Sequence, residues 1–329
     1  MEQKLLEIKD LVVKFKTDDG IVTAVDGVNL YVNKGETLGI VGESGCGKSV
    51  TSFSVMQLLP TPPAIIANGE ILFEGEDLLK KTPREMTKIR GDRISMIFQE
   101  PMTSLDPVYT IGNQLVEAIT LHQHVTAAEA EKIACEMLTK VGISMPEQRL
   151  KAYPHQLSGG MRQRVMIAMA ICCNPDLLIA DEPTTALDVT IQAQILSLME
   201  QLKKEREMAI ILVTHDLGVI AAMCSRVAVM YCGEVVEMAS VESIFEHPVH
   251  PYTKGLIGCV PSLDTSVDYL PTIKGQVPNL LNLPQGCRFA PRCPYATEQC
   301  LQARPGTVEV EPGHTAACHF ANVNQTKEA

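Results

Sequence analysis

Residues 42–49 have the sequence Gly-Glu-Ser-Gly-Cys-Gly-Lys-Ser, which matches the pattern G-x-x-x-x-G-K-[ST]. The stretch follows a short apolar run at 37–41, which predicts a buried strand, and precedes an apolar helix predicted from about 49 to 59. Glycines let the backbone wrap so that its N–H groups point at phosphate oxygens, and the helix adds its positive end. The stretch therefore predicts a nucleotide-binding loop of an α/β protein, but kinases, GTPases and helicases share this loop.

The side chains of this loop have separate expected tasks. Lys48 is expected to reach the β- and γ-phosphates, and Ser49 is expected to bind Mg²⁺. The candidate ATP-binding residues of the stretch are Gly42, Ser44, Gly45, Cys46, Gly47, Lys48, Ser49 and Val50.

Outward from the loop, strands and helices alternate. Residues 5–33 alternate apolar and polar positions around a turn at 18–20, which predicts antiparallel strands. Apolar runs at 93–98, 177–180 and 209–213 predict strands. Helices are predicted at about 110–175 and at 189–206, and a hairpin is predicted around Gly233. This order indicates an α/β core with a largely parallel sheet, an antiparallel β subdomain and a helical subdomain at about 100–175.

The chain changes character near residue 250. Prolines become frequent, helical periodicity fades, and four cysteines follow at spacings of five, six and seventeen intervening residues: Cys287, Cys293, Cys300 and Cys318. We therefore predict a nucleotide-binding domain at 1–255 and a small, irregular, cysteine-rich domain at 256–329. The spacing lacks the tight pairs typical of structural zinc and fits a [4Fe–4S] cluster better. Zinc and free thiols are alternatives, and His314 and His319 are substitute ligands if one cysteine is not used.

Composition limits the classes of function. The 329 residues include 28 Lys and Arg against 39 Asp and Glu, a net charge of −11, which disfavours a nucleic-acid binder. No segment approaches the roughly 20 apolar residues of a membrane-spanning helix, and the first residues do not resemble a signal peptide. We expect a cytosolic protein whose membrane role comes through a partner.

Polar residues end three of the predicted strands. Asp181 and Glu182 follow the apolar run 177–180, where Asp181 is expected to hold Mg²⁺ and Glu182 to act as the general base on the attacking water. His215 follows the run 209–213 and is expected to contact the γ-phosphate. Gln99 follows the run 93–98 and is expected to reach Mg²⁺ and the water. The predicted catalytic residues are thus Glu182, His215, Gln99 and Lys48.

Residues 157–165 have the sequence Leu-Ser-Gly-Gly-Met-Arg-Gln-Arg-Val. Ser158 and two glycines precede a predicted helix, which makes a second anion-binding helix N-terminus in the same chain. One nucleotide does not need two such sites from one subunit, whereas a dimer can use the second to cap the γ-phosphate bound by its partner.

With these motifs in this order, residues from about 5 to 255 resemble the ABC ATPase family. The resemblance implies that Gln99 is the Q-loop glutamine, 158–163 the signature, Asp181 and Glu182 the Walker B acids, 186–188 the D-loop and His215 the switch histidine. It also implies that Phe15 is the aromatic that stacks on adenine. The residues expected to act in trans on the partner's ATP are Ser158, Gly159, Gly160, Gln163 and Asp188.

Segments 99–107, 153–171, 179–196 and 250–253 resemble the dipeptide, oligopeptide and nickel importer branch, some members of which carry a [4Fe–4S] cluster at the C-terminal cysteines. This implies an ATPase at the cytoplasmic face of the membrane that energises peptide import. The implied partners are two permease subunits, a second and non-identical ATPase subunit and, indirectly, an extracytoplasmic solute-binding protein, with no nucleic acid.

There are three alternatives to the interpretation as a peptide-import ATPase. A nickel or other small-solute importer belongs to the same branch. A soluble ABC ATPase of DNA repair or translation is disfavoured by the single cassette, the short helical insert and the net charge of −11. A regulatory subunit that binds ATP without hydrolysing it is disfavoured by the intact Lys48, Glu182 and His215.

Overall fold

The computed structural model describes residues 3–100, 104–184, 187–259 and 272–321. Two compact units make up the chain. The first unit comprises Met1–Leu5, Val32–Thr37 and Lys80–Val213, and the second comprises Leu6–Tyr31, Leu38–Leu79 and Thr214–Ala329. The phosphate loop and the C-terminal cysteines belong to the second unit, and the predicted signature and Walker B acids belong to the first.

The described residues contain strands and helices in an alternating order. The strands are β1 Lys4–Thr17, β2 Gly20–Asn33, β3 Thr37–Val41, β4 Ala64–Phe73, β5 Glu76–Asp77, β6 Ile94–Ile97, β7 Leu177–Asp181, β8 Ala209–Val213, β9 Arg226–Tyr231, β10 Glu234–Ser240, β11 Val308–Glu311 and β12 His314–Ala316. The α-helices are α1 Lys48–Val55, α2 Pro83–Ile89, α3 Ile111–His122, α4 Ala127–Lys140, α5 Pro146–Leu150, α6 Gly159–Ile171, α7 Val189–Arg206, α8 Leu217–Met223, α9 Val241–Glu246, α10 Pro251–Gly258 and α11 Glu298–Gln302. Within these ranges no helix is long and apolar enough to cross a membrane.

Parallel strands form the centre of the first unit. β7 lies between β6 and β8 and pairs in parallel with both, and every residue of the three strands is buried. Continuous apolar strands of this kind are typical of a parallel sheet covered on both faces. Because the carboxyl ends of β6 and β7 meet at one edge, the residues that follow them, Gln99 and Glu182, come to the same end of the sheet. The strands predicted at 93–98, 177–180 and 209–213 are confirmed.

Several helices of the first unit begin at strong capping residues. Thr110 and Thr126 cap α3 and α4 through their side chains, and Glu129 completes a capping box with Thr126. α7 has the bounds predicted from the sequence, 189–206. The helical stretch predicted at about 110–175 is confirmed as four helices, α3 to α6.

The second unit contains two groups of hydrogen-bonded strands. One has the order β2-β1-β4-β5, and the other has the order β11-β12-β10-β9-β3. β3 and β9 are parallel, whereas β9 and β10 form the hairpin predicted around Gly233. Cys232 and Gly233 both have positive φ, 45° and 86°, which suits a two-residue hairpin turn. β3 leads directly into the phosphate loop and α1.

Residues after 250 contribute to the core of the second unit. The rings of Tyr231, Tyr252 and Phe289 pack with centroids 4.6–5.4 Å apart, and all three are buried. β12 pairs with β10. The boundary at 255/256 stays a prediction, and residues on both sides of it belong to the same compact unit.

Two local expectations differ from the structure. α1 ends at Val55 instead of near residue 59, because Gln57 has a left-handed φ of 48° and the Leu58 N–H donates to the Phe53 carbonyl. Helices α10 and α11 and strands β11 and β12 occur where the sequence indicated irregular structure. Each has eight residues or fewer, too few for a hydrophobic period to show.

Candidate functional site

Close backbone approaches explain the glycines of the phosphate loop. A Cβ at Gly42 would lie 2.2 Å from the Met230 carbonyl oxygen, and a Cβ at Gly47 would lie 2.6 Å from the Ala24 carbonyl oxygen. Gly47 also has a φ of 103°, which disfavours any residue with a side chain. The loop therefore needs glycine at both positions.

Lys48 spans the inside of this loop. Its Nζ donates to the carbonyl oxygens of Gly42 and Glu43, at 2.7 and 3.1 Å, and the side chain is buried. Ser44 and Gly45 are exposed at the tip, and Ser49 and Val50 are half-buried on the first turn of α1. The ammonium group of Lys48 therefore lies at the centre of the phosphate loop, and the tip of the loop is exposed to solvent.

Cys46 lies on the inner side of the loop. Its sulfur is buried and lies 3.7 Å from the Lys48 Nζ. Burial raises the pKa of the thiol, although the nearby ammonium of Lys48 opposes this shift. The residue is therefore a packed, protonated thiol of low reactivity.

Two predicted catalytic residues meet in the first unit. β7 ends at the buried Asp181, and Glu182 then turns away with a φ of 47°, uncommon for a residue with a side chain. The Glu182 N–H donates to the Val213 carbonyl at 2.8 Å, and the Gln99 Nε2 donates to the Glu182 carboxylate at 3.1 Å. The base and the Q-loop glutamine predicted from the sequence are therefore in direct contact.

The predicted signature begins a helix as expected. Ser158 caps α6, its Oγ accepting from the Met161 N–H at 3.3 Å, and Ser158 and Gly159 are exposed while Gly160 is half-buried. Gln163 is fully buried, and its Nε2 donates to the Pro183 carbonyl, one residue beyond Glu182. The signature helix is thus hydrogen-bonded to the turn that carries the predicted base.

Asp188 has a local role that the sequence did not indicate. It caps α7, its carboxylate accepting from the Ile191 N–H at 3.0 Å. Ala186, the first residue of the predicted D-loop, lies outside the described residues, as do residues 101–103 of the segment after Gln99. The trans roles of Ser158, Gly159, Gly160, Gln163 and Asp188 stay predictions.

His215 and Phe15 both lie in the second unit. His215 is exposed, just before the residue that caps α8. Phe15 is half-buried on β1, opposite Ala64 of β4. Their contacts with a nucleotide stay predictions.

The four C-terminal cysteines line one cavity of about 210 Å³. Its walls also include His250, Phe289 and His319. Burial raises the pKa of Cys287, Cys293 and Cys318, so these thiols are protonated unless a cation is bound among them. Among the described residues, no three His, Cys, Asp or Glu side chains are arranged to hold a metal ion.

The two substitute ligands differ in position. His314 is buried with its Nε2 2.8 Å from the Glu237 carboxylate, and it does not line the cavity. His319 lines the cavity, and its Nε2 lies 2.9 Å from the Ala303 carbonyl oxygen.

Two family descriptions match the chain. The family described as ABC transporter matches residues 25–185, and the oligopeptide/dipeptide transporter C-terminal region matches residues 236–300. The oligopeptide transport ATP-binding protein OppD of Escherichia coli is 52% identical over 95% of this chain and 92% of its own length. The chain belongs to the ABC transporter family of ATP-binding proteins.

Other relatives agree with this placement. The dipeptide transport ATP-binding protein DppD of Bacillus subtilis is 52% identical over 96% of this chain and 94% of its own length. A solved structure of the dimeric ATP-binding cassette MJ0796, bound to ADP and Pi, matches with a TM-score of 0.65 at 30% identity, covering 72% of this chain and 98% of that one. The ABC ATPase fold is confirmed, and the chain is an ABC ATPase.

One group of contacts around the phosphate loop of this ABC ATPase was not predicted. Glu43, the second loop residue, donates its N–H to the Tyr252 hydroxyl, and its carboxylate accepts from Arg292. The partners are 209 and 249 residues away in the sequence, so no local pattern indicates them. The available signals were the segment 250–253, which contains Tyr252, and the two arginines between the first two clustered cysteines, at 288 and 292.

Proposed function

We propose that this ABC ATPase energises the import of dipeptides or oligopeptides. The observation that carries the proposal is the match of residues 236–300 to the oligopeptide/dipeptide transporter C-terminal region. It is supported by relatives whose names specify oligopeptide or dipeptide transport, at 52–53% identity over almost the whole chain.

The chain would work at the cytoplasmic face of the membrane on two permease subunits, with a solute-binding protein delivering cargo from outside. A second ATPase subunit, a non-identical paralogue, would complete the motor. The matched cassette structures described as dimeric support a pair of such subunits.

The proposed residue roles are those that the sequence motifs predict. The phosphate loop and Lys48 bind the phosphates of ATP, and Ser49, Gln99 and Asp181 hold Mg²⁺. Glu182 takes the proton of the attacking water, and its hydrogen bond to Gln99 supports the pairing of base and Q-loop. His215 contacts the γ-phosphate, and Phe15 stacks on the adenine.

The signature residues serve the partner's nucleotide. Ser158, Gly159 and Gly160 present the N-terminus of α6, where exposed N–H groups attract a phosphate. Asp188 belongs to the same trans set. Gln163 acts indirectly. Its buried amide donates to the Pro183 carbonyl and so connects α6 to the turn that carries the base.

Uptake measurements test the cargo. The permease subunits that co-purify with the full chain would be reconstituted in liposomes with ATP, and the entry of labelled dipeptides, longer peptides and Ni²⁺ would be compared. We expect ATP-dependent peptide uptake that is lost in the Lys48→Ala variant. Uptake of Ni²⁺ without peptide uptake would contradict the proposal in favour of the metal importer of the same branch.

We further propose that Cys287, Cys293, Cys300 and Cys318 bind a [4Fe–4S] cluster. Four thiols around one cavity supply the ligand set that such a cluster needs. A single zinc ion needs its ligands about 2.3 Å from one point. The wide spacing of the four cysteines, with five, six and seventeen intervening residues, is our reason for proposing a cluster in place of zinc.

Metal analysis tests this second proposal. The chain purified without oxygen is expected to absorb visible light and to contain about four iron and four sulfide per chain, the composition that defines the cluster. A colourless chain with stoichiometric zinc would contradict it, as would a Cys293→Ser variant that retained the full iron content.

A further inference from the structure

A carboxylate stands inside the phosphate loop. Glu43 is the second residue of 42–49, and its side chain is about three-tenths exposed. An ATP phosphate chain carries several negative charges, so an uncompensated carboxylate beside it would repel the ligand for which the loop is built. The loop therefore needs a device that cancels this charge.

Arg292 supplies the opposite charge from the C-terminal region. Its two terminal nitrogens donate to the two carboxylate oxygens of Glu43 at 2.6 and 2.9 Å, a bidentate pair. The Arg292 side chain is almost fully buried. Water screens a buried charge pair weakly, so the attraction between Arg292 and Glu43 remains strong.

The arginine is itself held in place. Its Nε donates to the Lys274 carbonyl at 3.2 Å, one terminal nitrogen lies 3.3 Å from the Tyr231 hydroxyl oxygen, and the guanidinium lies 5.8 Å from the centre of the Tyr231 ring. The guanidinium of Arg292 is charged at every working pH, because arginine is not deprotonated in proteins. A preorganised cation of this kind loses little freedom when it pairs.

Two further contacts fix the backbone of Glu43. Its N–H donates to the Tyr252 hydroxyl at 2.9 Å, and its carbonyl accepts from the Lys48 Nζ at 3.1 Å. The backbone, the carboxylate and the central lysine of the loop are thus connected to one another. Arg292 and Tyr252 both come from the chain after residue 250.

We propose that Arg292 is a positioning residue for the phosphate loop, which neutralises Glu43 and thereby sets the affinity of the loop for ATP. The inference rests on the ATP-binding function and adds a residue to it. In this role the C-terminal region serves the nucleotide site directly.

Nucleotide binding by the purified full chain tests the role, with a fluorescent ATP analogue titrated at several salt concentrations. Arg292→Met is expected to raise the dissociation constant about tenfold, the scale of one like charge left uncancelled near a protein surface. The loss should shrink as salt rises, because salt screens the repulsion. Arg292→Lys retains the charge and should lose much less.

A second variant separates charge from shape. Adding Glu43→Gln to Arg292→Met removes the uncancelled charge, so the double variant should recover most of the lost affinity. Arg304→Met is the matched control, because Arg304 lies in the same region but pairs with Asp26 and Glu234 instead of Glu43. It should bind the analogue as the unsubstituted chain does.

The outcomes are distinct. Equal losses in Arg292→Met and in the double variant, or a loss that does not depend on salt, would overturn the charge-cancelling role. An Arg304→Met variant with the same loss as Arg292→Met would overturn it too. Failure of the unsubstituted chain to bind the analogue would instead overturn the ATP-binding function.

Discussion

Gly47 shows how tightly single residues constrain the nucleotide loop. It has a left-handed φ of 103°, and the space beside its Cα is taken by the Ala24 carbonyl. Gly45 also has a positive φ, 78°, but no atom lies within 4 Å of the place where its Cβ would be. The two glycines therefore share a conformational demand and differ in the room around them.

Alanine at these two positions is expected to have unequal effects. Gly45→Ala should lower the free energy of unfolding by about 1 kcal/mol, the usual cost of a left-handed residue with a side chain. Gly47→Ala should lower it by about 3 kcal/mol, because backbone must also move. Denaturant unfolding without nucleotide measures both. Equal losses would contradict the steric account.

Some of these residue contacts could be predicted from the sequence, and others could not. Lys48 is set by a local pattern, and the meeting of Gln99 with Glu182 follows from two strand ends at one sheet edge. The pair of Glu43 with Arg292 joins residues 249 positions apart, and only the packing of the fold brings them together. The burial of the Gln163 side chain could not be predicted either, because the signature is defined by the spacing of its residues and not by their burial.

Among the elements, β10 holds two others through one buried carboxylate. Glu237 of β10 accepts from the N–H groups of Val249 and His250, at 2.7 and 2.9 Å, just before α10. It also lies 2.8 Å from the Nε2 of His314 on β12. Burial opposes ionisation of Glu237, but these hydrogen bonds outweigh it and hold its pKa below the usual value.

Removing this charge should loosen both elements. Glu237→Gln is expected to lower the free energy of unfolding by about 3 kcal/mol, the scale for breaking buried, charge-assisted hydrogen bonds. Glu242→Gln, an exposed carboxylate in the first turn of α9, is the control and should change it by less than about 1 kcal/mol. Chemical denaturation at pH 7 measures both, and equal small effects would contradict the anchoring role.

The pH dependence of stability has a definite sign. The folded pKa of Glu237 lies below its ordinary value of 4.5, so the stability it adds is complete above about pH 5 and is lost as pH falls through the folded pKa. Below pH 4.5 the unsubstituted chain should therefore lose stability more steeply than Glu237→Gln does. Parallel curves for the two chains would contradict the assignment.

The helices and strands that were not predicted from the sequence were missed for one physical reason. α10 begins with Pro251 at its first turn and His250 as cap, and β12 has three residues that pair with β10. Such short pieces are stabilised by contacts with the rest of the unit and carry little pattern of their own. The long, strongly patterned elements, such as α7, were predicted with their bounds.

At the scale of the whole molecule, the C-terminal residues support the compact unit that carries the phosphate loop. Phe289 packs on Tyr231 and Tyr252, and the buried Arg288 donates to the Cys232 carbonyl and pairs with Asp26 and Glu234. Removing these residues would leave apolar rings exposed and carboxylates without their arginine. We therefore expect the second unit to depend on them for its stability.

A chain ending at residue 259 tests this dependence. It is expected to melt at least about 10 °C below the full chain, since several kcal/mol of packing and ion pairing are lost at roughly 2–4 °C per kcal/mol. Calorimetry of the two chains makes the comparison. A shortened chain that unfolds cooperatively within about 3 °C of the full chain would instead indicate an independent appended domain.

We propose that this chain hydrolyses ATP with Glu182 as the base. The direct measurement is steady-state phosphate release by the chain assembled with its permease, together with ATP binding by the same preparation. Glu182→Gln is expected to lower turnover at least about 100-fold while ATP binding persists and a closed dimer accumulates. Glu200→Gln, which changes a half-exposed carboxylate of α7 paired with Lys204, should turn over as the unsubstituted chain does. Normal turnover in Glu182→Gln would show that Glu182 is not the base.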